Sequence, residues 1–213
     1  MIQSLVLIIS LRLQSYPASA QSFCVVRKNC QLQGLQLDFS WRLRKNSVVL
    51  QAQCAITMKN LPFDTDIQKQ IIIFIGIQAS GKSTFYKRML APLGYGHINL
   101  DTLHTRNNEQ NAIEEFYKQE KSFVVDNTNP ELTDRQRYIP YARRQGYEII
   151  GIFFQSIVRD CIRRNEMREK SVPTKAIPCT QNKLQLPSYN EGFDKLYFVK
   201  IVEDDFEITP WKE

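Results

Sequence analysis

The strongest signal of the fold lies in residues 71–83, which read Ile71-Ile72-Ile73-Phe74-Ile75-Gly76-Ile77-Gln78-Ala79-Ser80-Gly81-Lys82-Ser83. Ile71–Ile75 is a run of β-branched and aromatic side chains, which is typical of a strand buried on both faces. Gly76–Ser83 then matches the pattern G-x-x-x-x-G-K-[ST]. A buried strand that leads into such a loop, with a helix after it, predicts a cradle for the phosphates of ATP or GTP.

Each fixed position of this loop has a chemical reason. Gly76 and Gly81 allow backbone angles and a close approach that a Cβ atom would prevent. Lys82 is expected to bridge the β- and γ-phosphates, and Thr84 to reach the α-phosphate. Ser83 is expected to bind Mg²⁺ through its hydroxyl. The predicted residues for ATP are Gly76, Ala79, Ser80, Gly81, Lys82, Ser83 and Thr84.

Strands and helices alternate along the rest of the chain, as a parallel α/β sheet requires. The pattern predicts a three-layer P-loop NTPase fold, similar to nucleoside kinases, with about five parallel strands and a short lid. The predicted strands are Ile71–Ile75, His97–Leu100, Ser122–Asp126, Glu148–Phe154 and Leu196–Ile201.

Helices are predicted between these strands. The pattern favours helices over Lys82–Pro92 and over residues 108–121. Asn129 is expected to cap a helix that starts at Pro130, is kinked or broken at Pro140 and ends at Gly146. Ser156 is expected to cap a further helix that runs to about Lys170.

Two acids stand at the ends of predicted strands. Asp101 follows His97–Leu100, and Asp126 closes Ser122–Asp126. Because catalytic groups of open parallel sheets lie at the carboxyl ends of the strands, both acids are candidates for phosphoryl-transfer chemistry. Either acid is also open to a simpler interpretation, as a helix N-cap or a turn former.

Arginines follow the fourth predicted strand. Arg164 and Arg168 are four residues apart and share one face of the predicted helix. Such a pair can close over a triphosphate as a lid and stabilise the charge in transfer. The alternative is a solvated basic face. The predicted catalytic residues are Asp101, Lys82, Arg164 and Arg168.

The net charge of +6 is concentrated at the N-terminal end. Residues 1–57 hold six of the 28 Lys and Arg and one of the 22 Asp and Glu, so the remainder holds 22 and 21 and is nearly neutral. A groove for nucleic acid would therefore depend on local placement of charge. The five cysteines include no Cys-x-x-Cys pair, which favours reduced thiols in a cytoplasmic protein.

Residues 1–57 are patterned unlike the rest. Leu5–Leu11 is apolar and Ala18-Ser19-Ala20 resembles a cleavage site, but no Lys or Arg precedes Arg12. This segment is a signal peptide, an accessory segment or an upstream extension of the reading frame. We favour the third interpretation, with the biological start at Met58 and a domain over residues 58–213. The apolar run is too short to span a bilayer, so no stable membrane association is expected.

Further motifs carry a resemblance to a known family. The chain from about Ile71 to Val202 resembles the kinase domain of polynucleotide 5′-hydroxyl kinases, including the kinase module of bifunctional polynucleotide kinase/phosphatases. The matching pieces, in order, are Gly76–Thr84, Asn99–Leu103, Asp126–Pro130 with Arg135 and Arg137, Arg164-Asn165 with Arg168, Lys175–Pro178, Pro187 and Glu191–Phe193.

The resemblance implies roles for these residues. Asp101 would be the general base for the acceptor hydroxyl, and Arg164 or Arg168 would hold the donor phosphates. The residues implied at the acceptor side are Asp126, Asn127 and Arg137.

The chain also departs from the family. Leu100 stands beside Asp101, where members often carry an Arg, and Arg106 is the candidate substitute. The candidates for stacking on bases are Tyr138, Tyr141 and Tyr189.

Three functions follow from the sequence. The first is an ATP-dependent kinase of 5′-hydroxyl ends in DNA or RNA. The second is a kinase of a small molecule such as a nucleotide, a sugar or an antibiotic. The third is an NTP-binding protein without phosphotransfer. Asp101 and the arginine pair argue against the third function, because a binding protein needs neither a base nor a lid.

Overall fold

The computed structural model describes residues 28–32, 35–39, 55–56, 61–65, 67, 69–203 and 205–213. Three short strands lie in the N-terminal segment: β1 (Lys28–Leu32), β2 (Leu35–Phe39) and β3 (Ala55–Ile56). They form a sheet in that order, with β2 antiparallel to β3. Met58 lies outside the described residues, so the start at Met58 and the boundary after residue 57 stay predictions.

A six-stranded sheet forms the frame of the rest of the chain, in the order β5-β6-β4-β7-β8-β9. Its strands are β4 (Gln70–Ile75), β5 (Gly96–Ile98), β6 (Phe123–Val125), β7 (Glu148–Phe154), β8 (Lys195–Val202) and β9 (Asp205–Pro210). The first five are parallel, which confirms the predicted sheet, whereas β9 runs antiparallel to β8 and was not predicted. Within the described residues, strand β9 pairs with β8 alone, and its exposed residues alternate with partly buried ones such as Phe206 and Ile208.

Helical segments connect the strands. They are α1 (Lys82–Phe85), a π-helical turn (Tyr86–Leu90) and a 3₁₀ turn (Ala91–Leu93), α2 (Leu100–Leu103), α3 (Arg106–Lys118), α4 (Leu132–Arg135), α5 (Ile139–Arg144), α6 (Val158–Glu166), α7 (Ala176–Lys183) and a 3₁₀ turn (Tyr189–Glu191). The helical segment predicted after the phosphate loop is thus present, but it changes its turn type twice. Among the described residues, no helix is long and apolar enough to cross a membrane.

The predicted cap at Asn129 was wrong. Its φ is 43°, and its Nδ2 donates to the carbonyl oxygen of Phe74 at 2.8 Å. The helix begins later, at Leu132, where Glu131 and Asp134 form a capping box. The expected break near Pro140 is present, since α4 ends at Arg135 and α5 begins at Ile139. Asn129 therefore ties its loop to the end of β4 instead of starting a helix.

The predicted cap at Ser156 was also wrong. Ile157 occupies the N-cap of α6, and the helix ends at Glu166 rather than near Lys170. The hydroxyl of Ser156 accepts from the N–H of Ile77 at 3.2 Å and donates to the carbonyl oxygen of Phe154 at 2.8 Å. Ser156 thus fastens the phosphate loop to the end of β7.

The core lies on both faces of the sheet. Ile71, Ile73 and Ile75 are fully buried in one apolar cluster, while Ile72 and Phe74 are fully buried in another. Successive side chains of a strand point to opposite faces, so β4 contributes to two helix-covered layers. This arrangement confirms the three-layer fold. Strand β4 lies in the middle of the sheet, between β6 and β7, and the loop Gly76–Ser83 follows its carboxyl end.

A methyl group at Gly151 is expected to destabilise the domain. A Cβ atom there would lie 2.4 Å from Cδ2 of Leu196 and 2.9 Å from Cε1 of Phe193. Overpacking of this kind costs roughly 1–3 kcal/mol, so Gly151→Ala should lower the free energy of unfolding measured with denaturant by that amount. Leu196→Ala removes the nearest atom. The double variant should therefore lose less than the sum of the single losses, and additivity would contradict the stated contact.

Candidate active site

A cavity of about 260 Å³ opens where three parallel strands end. Its lining residues follow β4, β5 and β6 in the chain, because the carboxyl ends of parallel strands meet at one edge of the sheet. One further side of the cavity comes from the segment after α6. The lining residues with candidate chemistry are Lys82, Ser83, Asp101, Arg106, Asp126, Asn127, Asp134 and Arg168.

The phosphate loop adopts the strained backbone that its glycines permit. The φ angles of Gly76 and Gly81 are 149° and 103°, and that of Ala79 is 59°. A Cβ atom at Gly81 would lie 2.8 Å from Cδ1 of Ile201. The N–H of Gly76 donates to the carbonyl oxygen of Thr128 at 2.9 Å, which fixes the start of the loop against the segment after β6.

Lys82 is a buried cation inside this loop. Its side chain donates to the carbonyl oxygens of Gly76 at 3.0 Å and Ile77 at 2.6 Å, and to Oγ of Ser80 at 3.3 Å. These partners are neutral, and within the described residues Lys82 forms no ion pair. Burial lowers the pKa of Lys82 to about 8, and nearby Asp126 opposes the shift. A buried ammonium held by neutral oxygens fits an anionic polyphosphate, since the ligand would supply the missing counter-charge.

The affinity for a nucleotide is expected to fall as the pH rises through about 8. Free Lys82 loses its proton above its lowered pKa of about 8, and the neutral amine no longer attracts phosphate. Below that pH the affinity should be flat. Above it, the Kd should rise roughly tenfold per pH unit, measured with a fluorescent nucleotide. Lys82→Arg keeps its charge and should abolish this rise. The same rise in both proteins would contradict the assignment to Lys82.

Asp101 lies in the first turn of α2, three residues beyond the end of β5. The prediction placed it directly at a strand end, but β5 stops at Ile98 and Asn99 caps the helix by accepting from the N–H of Thr102 at 3.3 Å. Asp101 is exposed to the cavity. Within the described residues, its carboxylate has no hydrogen-bond or ion-pair partner. The group is therefore available to accept a proton.

Asp126 is buried directly after β6, with 3% of its surface exposed. Its Oδ2 lies 3.0 Å from Nε2 of His97 and accepts from Nδ2 of Asn99 at 3.4 Å. The His97 ring in turn stacks on Tyr86 with the ring centroids 4.0 Å apart. Asp126 is therefore no helix cap but a buried side chain that lines the cavity and is held in place by His97 and Asn99. No role in the site was predicted for His97, and Asn99 was named only as part of a matching motif, without its contact to Asp126.

Both polar atoms of the Asn127 side-chain amide form hydrogen bonds within the protein. Its Nδ2 donates to Oε1 of Glu109 at 2.6 Å and to the hydroxyl of Tyr138 at 3.2 Å, and its Oδ1 accepts from the N–H of Leu100 at 2.9 Å. The amide thus anchors the start of α2. A direct contact with a substrate, implied by the resemblance, would need these bonds to be given up.

The two lid arginines differ in their surroundings. Nε of Arg164 donates to the carbonyl oxygen of Ala79 at 2.8 Å, and its Nη2 lies 3.2 Å from Sγ of Cys161. Arg164 is thus held against the phosphate loop. Arg168 is exposed, lines the cavity, and has no side-chain partner among the residues that the structure describes. Arg168 is therefore the lid cation that remains available for a ligand.

The loop after α6 is closed by Asn165, which is 1% exposed. Its Nδ2 donates to the carbonyl oxygen of Val172 at 2.8 Å, and its Oδ1 accepts from the N–H of Val172 at 3.0 Å. This pair of bonds brings Arg168 back toward the phosphate loop and forms the short lid.

Arg137 lies outside the cavity lining. Its guanidinium is about half exposed and lies 3.9 Å from Oδ1 of Asp134. Arg106 does line the cavity, where its Nη1 donates to Oε2 of Glu109 at 2.7 Å and to the hydroxyl of Tyr138 at 3.0 Å. Arg106 therefore lines the cavity, whereas Arg137 does not, and the role of Arg137 at the acceptor stays a prediction.

The candidate stacking tyrosines are largely used in packing. Tyr138 is 5% exposed and belongs to the core, and Tyr141 packs partly buried against the same cluster. Tyr189 is 41% exposed and does not line the cavity.

A second cavity of about 670 Å³ adjoins the phosphate loop on its other side. Thr84 and Arg88 line it from the first helical segment, and Arg164 and Arg168 from the lid. Ile201 and Phe206 line it from the β8–β9 hairpin. Arg168 lines both cavities and stands between them.

These features define the class of protein. A phosphate loop after the central strand of a parallel sheet, acids beyond the neighbouring strands and an arginine-bearing lid make a P-loop kinase fold. Residues 71–116 match the family model described as AAA domain.

The chain is similar to the bifunctional polynucleotide phosphatase/kinase of Schizosaccharomyces pombe, with 32% identity over 62% of this chain and 33% of that protein. It is likewise similar to the putative bifunctional polynucleotide phosphatase/kinase of Acanthamoeba polyphaga mimivirus, with 31% identity over 68% of this chain and 37% of that protein. The chain spans about a third of the length of these curated relatives.

A solved structure supports the fold alone. The native AvrRxo1-ORF1:AvrRxo1-ORF2 complex matches 68% of this chain and 58% of its own chain, with a TM-score of 0.52 and 12% identity.

Proposed function

We propose that this protein is an ATP-dependent kinase that transfers the γ-phosphate to the 5′-hydroxyl of a polynucleotide. The observation that carries the proposal is the carboxylate of Asp101, which has no partner among the described residues and lines the same cavity as the buried ammonium of Lys82. Phosphoryl transfer requires this combination of a base at the acceptor and cations at the phosphates.

The reaction assigns one task to each group. Asp101 accepts the proton of the acceptor hydroxyl as that oxygen attacks the γ-phosphorus. A new oxygen–phosphorus bond forms, the bond between the γ-phosphorus and the β–γ bridging oxygen breaks, and ADP leaves. Lys82 and Arg168 compensate the charge on the phosphate oxygens during transfer. Asp126 lies near Lys82 and is bound by the side chains of His97 and Asn99, which keep it at the cavity.

ATP would occupy both cavities. Its phosphates would lie along Gly76–Thr84, and its nucleoside in the second cavity, whose volume of about 670 Å³ suits a small-molecule ligand. Ser83 lines the first cavity and is only partly buried, so its hydroxyl is placed to hold Mg²⁺. The ion would neutralise phosphate charge when bound.

The choice of a polynucleotide end as acceptor rests on two supports. The first is the similarity to two proteins named as polynucleotide phosphatase/kinases. The second is Arg106, a cation on the acceptor side of the cavity near Asp101. An arginine there suits an acceptor with a phosphate next to its reacting hydroxyl.

A small-molecule acceptor is the second candidate. Among the described residues, those that line the first cavity include no aromatic side chain on which a base would stack. The cavity volume of about 260 Å³ also suits a compact acceptor. A non-catalytic NTP-binding role is the third candidate. It would give no function to the Asp101 carboxylate, which has no partner in the part of the chain that the structure describes.

The test is a transfer assay with the full chain. The protein is incubated with γ-labelled ATP, Mg²⁺ and 5′-hydroxyl oligonucleotides of DNA and of RNA, and label is scored on the 5′ end. The same oligonucleotides with a 5′-phosphate serve as acceptor controls. Label on the hydroxyl ends alone supports the proposal. ATP binding without any transfer to these ends, but with transfer to a nucleoside or sugar, would replace it with the small-molecule function.

A further inference from the structure

Helix α3 carries a carboxylate on its buried face. Its core-facing residues are Ile113 and Tyr117, and one turn earlier the same face carries Glu109, which is 4% exposed. These positions are four residues apart, so they form one stripe along the helix. An apolar side chain is the ordinary occupant of such a stripe, and a buried charge is costly unless it is fully partnered.

Three donors surround this carboxylate. Oε1 of Glu109 accepts from Nδ2 of Asn127 at 2.6 Å and from the hydroxyl of Tyr138 at 3.0 Å. Oε2 accepts from Nη1 of Arg106 at 2.7 Å. Burial and, to a smaller extent, neighbouring Glu109 raise the pKa of Tyr138 to about 12, so the phenol keeps its proton and acts as a donor. Glu109 therefore joins three separate segments of the chain.

The connection continues to the catalytic turn. Asn127 is held by Glu109 through its amide nitrogen and accepts the N–H of Leu100 through its amide oxygen at 2.9 Å. Leu100 is the first residue of α2 and stands next to Asp101. The Leu100 N–H belongs to the first turn, where a helix offers no internal acceptor. The orientation of the Asp101 turn thus depends on the amide of Asn127, and that amide depends on Glu109.

We propose that Glu109 is a positioning residue for phosphoryl transfer: through Asn127 it fixes the turn that presents Asp101 to the acceptor hydroxyl. The effect on phosphoryl transfer rests on the proposed function. The anchoring of the Asp101 turn rests on the structure alone. Glu109 is not among the residues that line the cavity. Glu109 keeps Asp101 in the position from which it accepts the proton. Small displacements of such a group reduce the rate strongly.

The first experiment measures anchoring without any substrate. Amide hydrogen exchange at Leu100 is followed by NMR in the wild type, in Glu109→Gln and in Glu115→Gln. Glu115 is a matched control, because it lies on the exposed face of the same helix. Glu109→Gln is nearly isosteric but weakens the bonds to Asn127 and Arg106. Exchange at Leu100 should accelerate roughly tenfold or more in Glu109→Gln only, while the core amide of Ile113 reports that the fold is kept.

The second experiment measures coupling to Asp101. In the transfer assay, Glu109→Gln should lower kcat roughly 10-fold to 100-fold without changing the KM for ATP. In the Asp101→Asn background, the same substitution should have almost no further effect, because a positioning residue acts through the group that it positions. A merely structural role would reduce both backgrounds by the same factor.

Each outcome decides between these accounts. Unchanged exchange at Leu100 overturns the proposal whatever the activity. Accelerated exchange with equal losses of kcat in both backgrounds also overturns it, because Glu109 would then act elsewhere. If the wild type transfers no phosphate to a 5′-hydroxyl end, the proposed function fails by itself, and the exchange measurement still establishes or refutes the anchoring.

Discussion

Replacement of Asp101 by Asn is expected to lower kcat for phosphoryl transfer by roughly 10²–10⁴-fold, the usual contribution of a general base. The affinity for ATP should be unchanged, because Asp101 lies in α2 and not in the phosphate loop. Asn has nearly the same shape as Asp but cannot accept the proton. Single-turnover transfer of labelled phosphate and direct titration with ATP measure the two quantities separately.

Asp134→Asn is the matched control for this substitution. Asp134 lines the same cavity, but its Oδ2 accepts from the N–H of Glu131 at 3.3 Å in the capping box of α4. Asn can retain that cap, so transfer should change little. Equal losses in both variants would mean that the cavity needs negative charge in general and not a base at residue 101. Loss of ATP binding in Asp101→Asn would place Asp101 at the donor instead.

Replacement of Arg135 by Leu is expected to destabilise the domain by roughly 3–5 kcal/mol, because it leaves a buried carboxylate without its partner. Arg135 is fully buried and binds Glu191 through two bonds, Nε to Oε2 at 2.6 Å and Nη2 to Oε1 at 2.7 Å. Its Nη1 also donates to the carbonyl oxygens of Asn129, Pro130 and Gln185. The melting temperature should fall by roughly 6–20 °C.

The exposed pair Arg143–Asp194 is the control for Arg135. Its Nη1–Oδ1 distance of 2.7 Å resembles that of the buried pair, but half of the Arg143 side chain is exposed. Arg143→Leu should therefore cost no more than about 1 kcal/mol. A similar loss of stability in Arg135→Leu and Arg143→Leu would show that burial of the Arg135–Glu191 pair does not increase its contribution to stability. Arg135→Leu with Glu191→Leu should recover much of the loss, because no unpaired charge remains.

Much of the sheet could be predicted because its signals are local. Ile71–Ile75 is buried on both faces, as a continuous apolar run requires, and Glu148–Phe154 pairs beside it as a parallel strand. The loop Gly76–Ser83 also has the predicted backbone, since its glycines adopt angles that other residues avoid. Strand β9 was missed because it lies at the edge of the sheet and alternates exposed with partly buried residues, so it lacks the continuous apolar run of the central strands.

The candidate site could be predicted in part. That Asp101 and Asp126 line one cavity with Lys82 agrees with the rule that parallel strands end at one edge. Their partners could not be predicted, because His97 and Glu109 are far from Asp126 and Asn127 in the chain. The local rules for caps also failed at Asn129 and Ser156, where the side chains bind neighbouring strands and loops instead of their own helices.

The parallel sheet, the phosphate loop and the candidate acids follow from the sequence alone, because backbone preferences and apolar periodicity act between residues close in the chain. Which polar groups remain available for a ligand, and which are held in hydrogen bonds within the protein, is set by the three-dimensional fold. It leaves Asp101 and Arg168 without side-chain partners among the described residues, and holds Arg164 on the loop. The physical reason is that hydrogen-bond partners of buried polar groups come from distant segments, and which segments meet is set by packing of the whole domain.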